Sequence, residues 1–196
     1  MHPNPAFNWS DESAMLAFVA REAFASIFIH GPAVVHAPLV VMGRNVSFHL
    51  SRRNRALAAI DGSRVVASIV GRQGYQSANW YDSTDQVPTW LYEAVEIEGI
   101  AREFSRDDLI AHVDALTGTM EASHSPASPW TRAKMGEGKF EAMLGAITGF
   151  SISIEQLRGT SKFNQHKRVA DFEAMIAGQA SSGRKDLVAA IREHRA

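Results

Sequence analysis

The chain has 196 residues, 45% of them apolar, with a formal net charge of −1 and no cysteine. That is enough apolar material for one domain, or for a domain with a helical appendage. Near-neutral charge supplies no overall basic field for nucleic acid, and the lack of cysteine excludes disulfides, thiolate catalysis and sulfur-ligated zinc.

The first residues, MHPNPAFNWSDESAM, carry neither a basic n-region nor an apolar h-region. No apolar run approaches the about 18 residues of a spanning helix, so no membrane partner is expected and the expected location is cytoplasmic. Ser10 and Asp11 are N-cap residues before Met15, Leu16, Phe18 and Val19, whose spacing predicts a helix over 11–22. FASIFIH, Phe24 to His30, reads as a strand that Gly31-Pro32 ends. AVVHAPLVVMG, Ala33 to Gly43, reads as a second strand, with Pro38 pointing to an edge or a bulge. Gly43-Arg44-Asn45 turns the chain into a short third strand, Val46 to Leu50.

SRRNRALAAID, Ser51 to Asp61, predicts a short helix capped by Ser51, with Leu57 and Ile60 inward. Arg64 to Gly71 is a further strand. A polar connector rich in Trp and Tyr follows, and then a long half-buried strand from Trp90 to Arg102. Leu91, Val95 and Ile97 share one face of it, and Trp90, Tyr92, Glu96 and Glu98 the other. A helix is expected over 106–120, capped by Ser105, with Leu109, Ile110, Val113 and Leu116 as its stripe. SHSPASPW is a loop, and a helix follows around 139–146. GFSISIEQL, Gly149 to Leu157, alternates as the last strand. Helices near 168–177 and 185–195 close the chain. The second, with Arg184, Lys185, Arg192 and Arg195 balanced by Asp186 and Glu193, reads as solvated. The whole is an antiparallel barrel or sheet decorated by helices, not an alternating βαβ fold.

None of the eight histidines forms an HExxH pair, so no metal site is expected. His36 and His49 fall on strands expected to be neighbours, in apolar surroundings, where a hydrogen-bonded core histidine is the plain reading. FHLSRRN, Phe48 to Asn54, is the stronger chemical pattern. A strand ends, a serine caps a helix, and two arginines lie in its first turn. Free N–H groups, helix dipole and guanidinium forks together suit a phosphate; the alternative is a solvated basic face. No GxSxG, GxGxxG or Walker sequence is present, Glu93, Glu96 and Glu98 look like ordinary strand positions, and no catalytic residue stands out.

Several blocks together resemble the PaiB family, the FMN-binding negative transcriptional regulators related to flavin split barrels. They are HAPLVV (His36 to Val41), FHLSRRN, SANWY (Ser77 to Tyr81) with VPTWLYEAV (Val87 to Val95), and ITGFSISIEQLRG (Ile147 to Gly159) with KFNQHKRVADF (Lys162 to Phe172). Each block is weak alone; their order and spacing, over about residues 11 to 178, are specific. The resemblance implies a β-rich α+β fold: a six-stranded antiparallel split β-barrel with peripheral helices over 1–178, and a C-terminal helical extension over 179–196. It implies a homodimer with FMN at the dimer interface.

Carried over by motif, Arg52 and Arg53 hold the phosphate, and His49 and Leu50 feed that turn. His36, Ala37, Pro38 and Leu39 pass along the ring and offer backbone groups to it. Trp80, Tyr81, Thr89 and Trp90 match the aromatic connector, and Lys162 and Gln165 match a late polar motif usually read K-L-S-Q-N. Leu91 replaces a usual asparagine, Thr160 a usual lysine, and Asn164 and His166 depart from the late motif. The resemblance implies a role in transcriptional control. DNA enters as a partner only through that association, since no helix-turn-helix with a basic face is visible. A flavin-dependent oxidoreductase, or a split-barrel scaffold without cofactor, are the alternative readings.

Overall fold

The computed structural model describes residues 2–29 and 33–195. Its regular elements are, in chain order, β1 (Asn8–Trp9), α1 (Glu12–Glu22), β2 (Phe24–Ile29), β3 (Ala33–Pro38), β4 (Val40–Met42), β5 (Asn45–Ser51), β6 (Arg64–Gln76), β7 (Thr89–Glu103), α2 (Arg106–His124), α3 (Lys139–Leu144), β8 (Ile147–Ser153), β9 (Gln156–Lys162), α4 (Val169–Ser181) and α5 (Lys185–Glu193). They fall into two units. One holds residues 16–69 and 96–157; the other holds the chain up to 15, 70–95 and from 158 onward.

In the first unit the strands follow the order β3-β2-β6-β7-β8-β5-β4. The pairings β2 with β3 and β6, and β5 with β4 and β8, are all antiparallel. The alternation of NVSFHLS fixes the register of β5, because a slip by one residue would exchange its two faces. Val46 and Phe48 are fully buried, and Phe48 sits opposite Phe150 of β8 with ring centroids 5.4 Å apart. Each such buried phenylalanine contributes roughly 1.5–3 kcal/mol. Gly99 of β7 has no room for a side chain: a Cβ there would overlap the Ser153 carbonyl.

The second unit pairs β1 with β9, and β9 with β7. Its core is Leu91, Phe163, Phe172, Met175, Leu187 and Ile191 with their neighbours. At the edge of that core lies a buried charge. The Glu93 side chain is 1% exposed. Its carboxylate accepts hydrogen bonds from the Arg72 backbone N–H and guanidinium at 2.7–3.2 Å, and meets His194 at 3.2 Å. Arg72 also pairs with Glu193 at the end of α5. Removing one partner from such a buried pair strands the other without solvation, so the network fastens α5 to β6 and β7.

Several expectations are corrected here. Residues 51–61 form no α-helix; they are turns and a three-residue 3-10 helix, Leu57–Ala59. The backbone N–H of Asn54 turns back to the Ser51 carbonyl and its side chain caps Ala56, so the chain is held in turns. The strand expected over 33–43 is two, β3 and β4, broken at buried Leu39 beside Pro38. The strand expected over 149–157 belongs to β8 and β9, and the sheet holds nine strands among the described residues. His36 and His49 do lie on neighbouring strands, β3 and β5, but these pack against each other without ladder pairing: β3 pairs with β2, β5 with β4 and β8. Helix α5 is amphipathic rather than solvated all round, since Leu187, Ala190 and Ile191 are fully buried. Glu93 is no ordinary strand position. The break expected at Gly31-Pro32 and the strand end at His30 lie outside the described residues.

Burial alone would push the Glu93 carboxyl up. The hydrogen bonds of His194 and Arg72, with the Arg72 charge, outweigh it and hold the carboxyl at about 2, against an ordinary 4.5. A carboxylate depressed by folding gives stability that is full above its unfolded pKa and is lost as pH falls toward the folded one. Urea unfolding should therefore show stability declining between pH 4.5 and about 2. Glu93→Gln should flatten that limb; an unchanged acid limb in the variant would remove Glu93 from the account.

Candidate functional site

The end of β5 and the turn after it carry the site in the first unit. Along β5 the even residues 46, 48 and 50 are buried in the core, so Ser47, His49 and Ser51 share the other face. Helix α2 covers part of that face. Ser105 caps it, accepting the Asp108 N–H at 3.2 Å, and the helical period then puts Leu109 and His112 on its buried side. His112 is 2% exposed. Its Nδ1 lies 2.8 Å from Ser47 Oγ and its Nε2 lies 2.9 Å from His49 Nδ1. This continuous line, Ser47–His112–His49, was not legible in the sequence. The signal available was a histidine on the apolar stripe of α2, masked because the stripe reads well from Leu109, Ile110 and Val113 alone.

The turn that follows presents Arg52 and Arg53, both exposed. Its backbone donors are used internally: Arg52 N–H goes to the Ala146 carbonyl, Arg53 N–H to Ser51 Oγ, and Asn54 N–H to the Ser51 carbonyl. The expected combination of free N–H groups and helix dipole is therefore absent, and anion binding falls to the guanidiniums. Neither guanidinium has a carboxylate partner among the described residues. Arg52 also lines a cavity of about 210 Å³ with Thr148, Gly149 and Arg106. Glu103 and Glu141 line it too, and Glu141 pairs with Arg106, so the cavity is balanced in charge. The Thr148 hydroxyl is buried without a partner, a hydrogen-bonding position open to a polar group.

His36 and Pro38 lie on the outer face of β3, while Ala37 and Leu39 point into the core at 1% and 2% exposure. Only backbone groups of the latter two could meet a ligand, and the Leu39 N–H is already given to the Ala23 carbonyl; β3 ends the strand order. His36 bonds Ser26 Oγ at 3.1 Å and stacks on Phe24. His49 is half-buried and Leu50 buried.

The other predicted residues lie in the second unit. Lys162 Nζ donates to Thr89 Oγ1 at 2.8 Å, and burial pushes its amine below the ordinary lysine value. Asn164 donates to the Tyr81 hydroxyl at 2.8 Å and takes a left-handed φ of 57°, which asparagine tolerates better than most residues. The Gln165 amide is committed to its own surroundings: it accepts from Phe163 N–H and donates to the Ser161 and Ala6 carbonyls. Trp80 packs against Gly178, where any Cβ would overlap the indole. Trp90 is 51% exposed and donates its indole N–H to Gln73.

Residues 1–156 match the family model described as "Putative FMN-binding domain". The chain belongs to this family. A curated relative, "Protease synthase and sporulation protein PAI 2" of Bacillus subtilis (strain 168), is 29% identical over 112 residues, 57% of this chain. The match spans about half of that relative, 53% of its length. The fold is similar to that of the FAD and haem binding protein from Mycobacterium smegmatis, with a TM-score of 0.60, 14% identity and coverage of 79% and 73% of the two chains. It is also similar to the flavocytochrome Anf3 from Azotobacter vinelandii, at 0.57, 14%, 83% and 72%. The antiparallel order of the first unit and these likenesses make the fold an antiparallel split barrel. Among the described residues no helix is long and apolar enough to cross a membrane, and no cluster of His, Asp or Glu could hold a metal ion.

FMN is the cofactor against which the donor set is to be judged. Two adjacent guanidiniums without carboxylate partners suit a phosphate dianion, and the unpartnered Thr148 hydroxyl beside Arg52 suits a polar group. The residues fit the cofactor.

Burial, and after it the neighbouring His49, push the His112 imidazole down to about 4 from an ordinary 6.5. Above 6.5 neither the folded nor the unfolded histidine is protonated; below it the unfolded chain takes up the proton first. Stability should therefore fall as pH drops from 6.5 toward about 4. His112→Gln should reduce this limb in chemical unfolding, His49 and His166 being held down by burial as well; an undiminished limb would show that His112 does not titrate there.

Proposed function

We propose that the protein is a homodimeric FMN-binding regulator whose turn at Arg52 and Arg53 holds the cofactor phosphate. The observation that carries the reading is the pair of exposed guanidiniums without carboxylate partners, at the end of β5, in a chain of the FMN-binding family. Both arginines can fork onto phosphate oxygens, and each charged hydrogen bond is worth ~1.5–3 kcal/mol. When bound, FMN supplies redox chemistry that no side chain of this protein can perform. The protein's share is to bind and orient it: Arg52 and Arg53 at the phosphate, the Thr148 hydroxyl for a polar group, and backbone of β3 for the ring's polar edge.

The dimer is supported by one face of β2, β3 and β6. Phe24, Phe28 and Val34 are 58%, 48% and 43% exposed. The register sets Ser26 opposite His36, and Phe28 opposite both Val34 and Val66. Exposed apolar rows on either side of the Ser26–His36 pair favour burial against another surface. A second copy brings the same face, and His36 and Pro38 of β3 lie on it. The regulatory role rests on the resemblance to the PaiB family and on a Bacillus subtilis relative named for protease synthesis and sporulation.

The test is titration of the purified protein with FMN, followed by flavin fluorescence, with the mass measured by light scattering. Arg52→Ala and Arg53→Ala should each weaken binding by ~1.5–3 kcal/mol. Unchanged affinity would take the turn out of the site, and a monomer mass would take the partner out.

A further inference from the structure

Segment 106–147 holds a second cavity, of about 350 Å³, that the flavin reading does not use. It lies beside β5, with His49 on its wall. Helix α2 contributes Leu116, the loop after it Trp130 and Met135, and α3 Phe140 and Met143. Trp130 and Met143 stay 39% and 65% exposed, although a concave apolar wall surrounds them. Large apolar side chains left open around a hollow are the mark of a binding pocket rather than of a core. The volume suits a one- or two-ring molecule. Two aromatic rings and two thioethers favour a flat aromatic one. No Asp, Glu, Lys or Arg lines the cavity, so a charged ligand would lose its solvation without a counter-ion. The neighbouring cavity at Arg52 shares only the Leu144 side chain with this one.

His49 supplies directionality. Its Nδ1 is taken by His112 Nε2, leaving Nε2 as the ring nitrogen without a protein partner. The line Ser47–His112–His49 admits two proton arrangements. If the Ser47 hydroxyl donates to His112 Nδ1, each imidazole in turn donates from Nε2, and His49 Nε2–H is a donor. If Ser47 instead donates to the Val40 carbonyl and accepts from His112 Nδ1–H, His49 Nδ1–H donates to His112, and His49 Nε2 is an acceptor. The outermost nitrogen can thus meet either kind of polar atom. We propose that this cavity binds an uncharged mono- or bicyclic aromatic heterocycle, held by a hydrogen bond between its ring heteroatom and His49 Nε2.

The test uses the full chain with 13C-labelled methionine methyl groups, titrated with quinoline. Of the seven methionines, Met135 and Met143 should show the saturable shifts, with a Kd at or below about 1 mM, the range open to a ligand of this size. Naphthalene, which lacks the nitrogen, should bind about tenfold more weakly. Leu116→Trp should abolish the shifts; if that variant loses the dispersed spectrum of a folded protein, Thr117→Phe fills the same wall. The titration is run without FMN and again with FMN saturating, and binding should be the same in both. No shift at Met135 and Met143, equal shifts in a filled and folded variant, or displacement of quinoline by FMN would each overturn the proposal. The first two results leave the flavin reading untouched.

Discussion

Strand β5 is buried on one face by apolar packing and pinned on the other by a hydrogen-bonded line of polar side chains, and the site depends on that double constraint. Val46, Phe48 and Leu50 fix which face looks inward. Ser47 and His49 then have no choice but to meet α2, where His112 closes the line between them. A buried imidazole is costly unless its nitrogens are satisfied, so this line tolerates little shift of register or helix position. The strand delivers the chain to Ser51, and there the turn presents Arg52 and Arg53 with their guanidiniums outward. The geometry of the Arg52–Arg53 turn is inherited from packing two residues upstream.

Much of this was legible in the sequence because it rests on short periodicities. The alternation from Trp90 to Arg102 placed Leu91, Val95 and Ile97 on the buried face of β7, as the structure has them. Apolar spacing located α1, α2, α4 and α5 to within a few residues of their observed ends. The errors have local causes. SRRNRALAAID has helical spacing at Leu57 and Ile60, but the side chain of Asn54 caps Ala56 and turns take the segment. GFSISIEQL alternates across a real break between β8 and β9, since period-two spacing does not register where one strand ends and the next begins.

The candidate site was legible in its cations and not in its neutral groups. Arginines at the end of a strand announce themselves by type. His112 acquires meaning only from Ser47 and His49, and nothing near it in sequence marks those partners; Thr148 shows itself only by being buried without one. Asn164 is intermediate. It departs from the family's usual residue, yet its left-handed backbone and its bond to Tyr81 show how that position is accommodated. Gln165, selected by motif, turns out to brace its own loop through both ends of its amide.

The central claim is that the cofactor is recognised by its phosphate at the Arg52–Arg53 turn. The most direct measurement compares FMN with riboflavin, which has the same ring and ribityl chain and lacks only the phosphate. Two charged hydrogen bonds, at ~1.5–3 kcal/mol each, predict FMN binding tighter than riboflavin by roughly a hundredfold or more. Equal affinities for the two flavins would contradict the account.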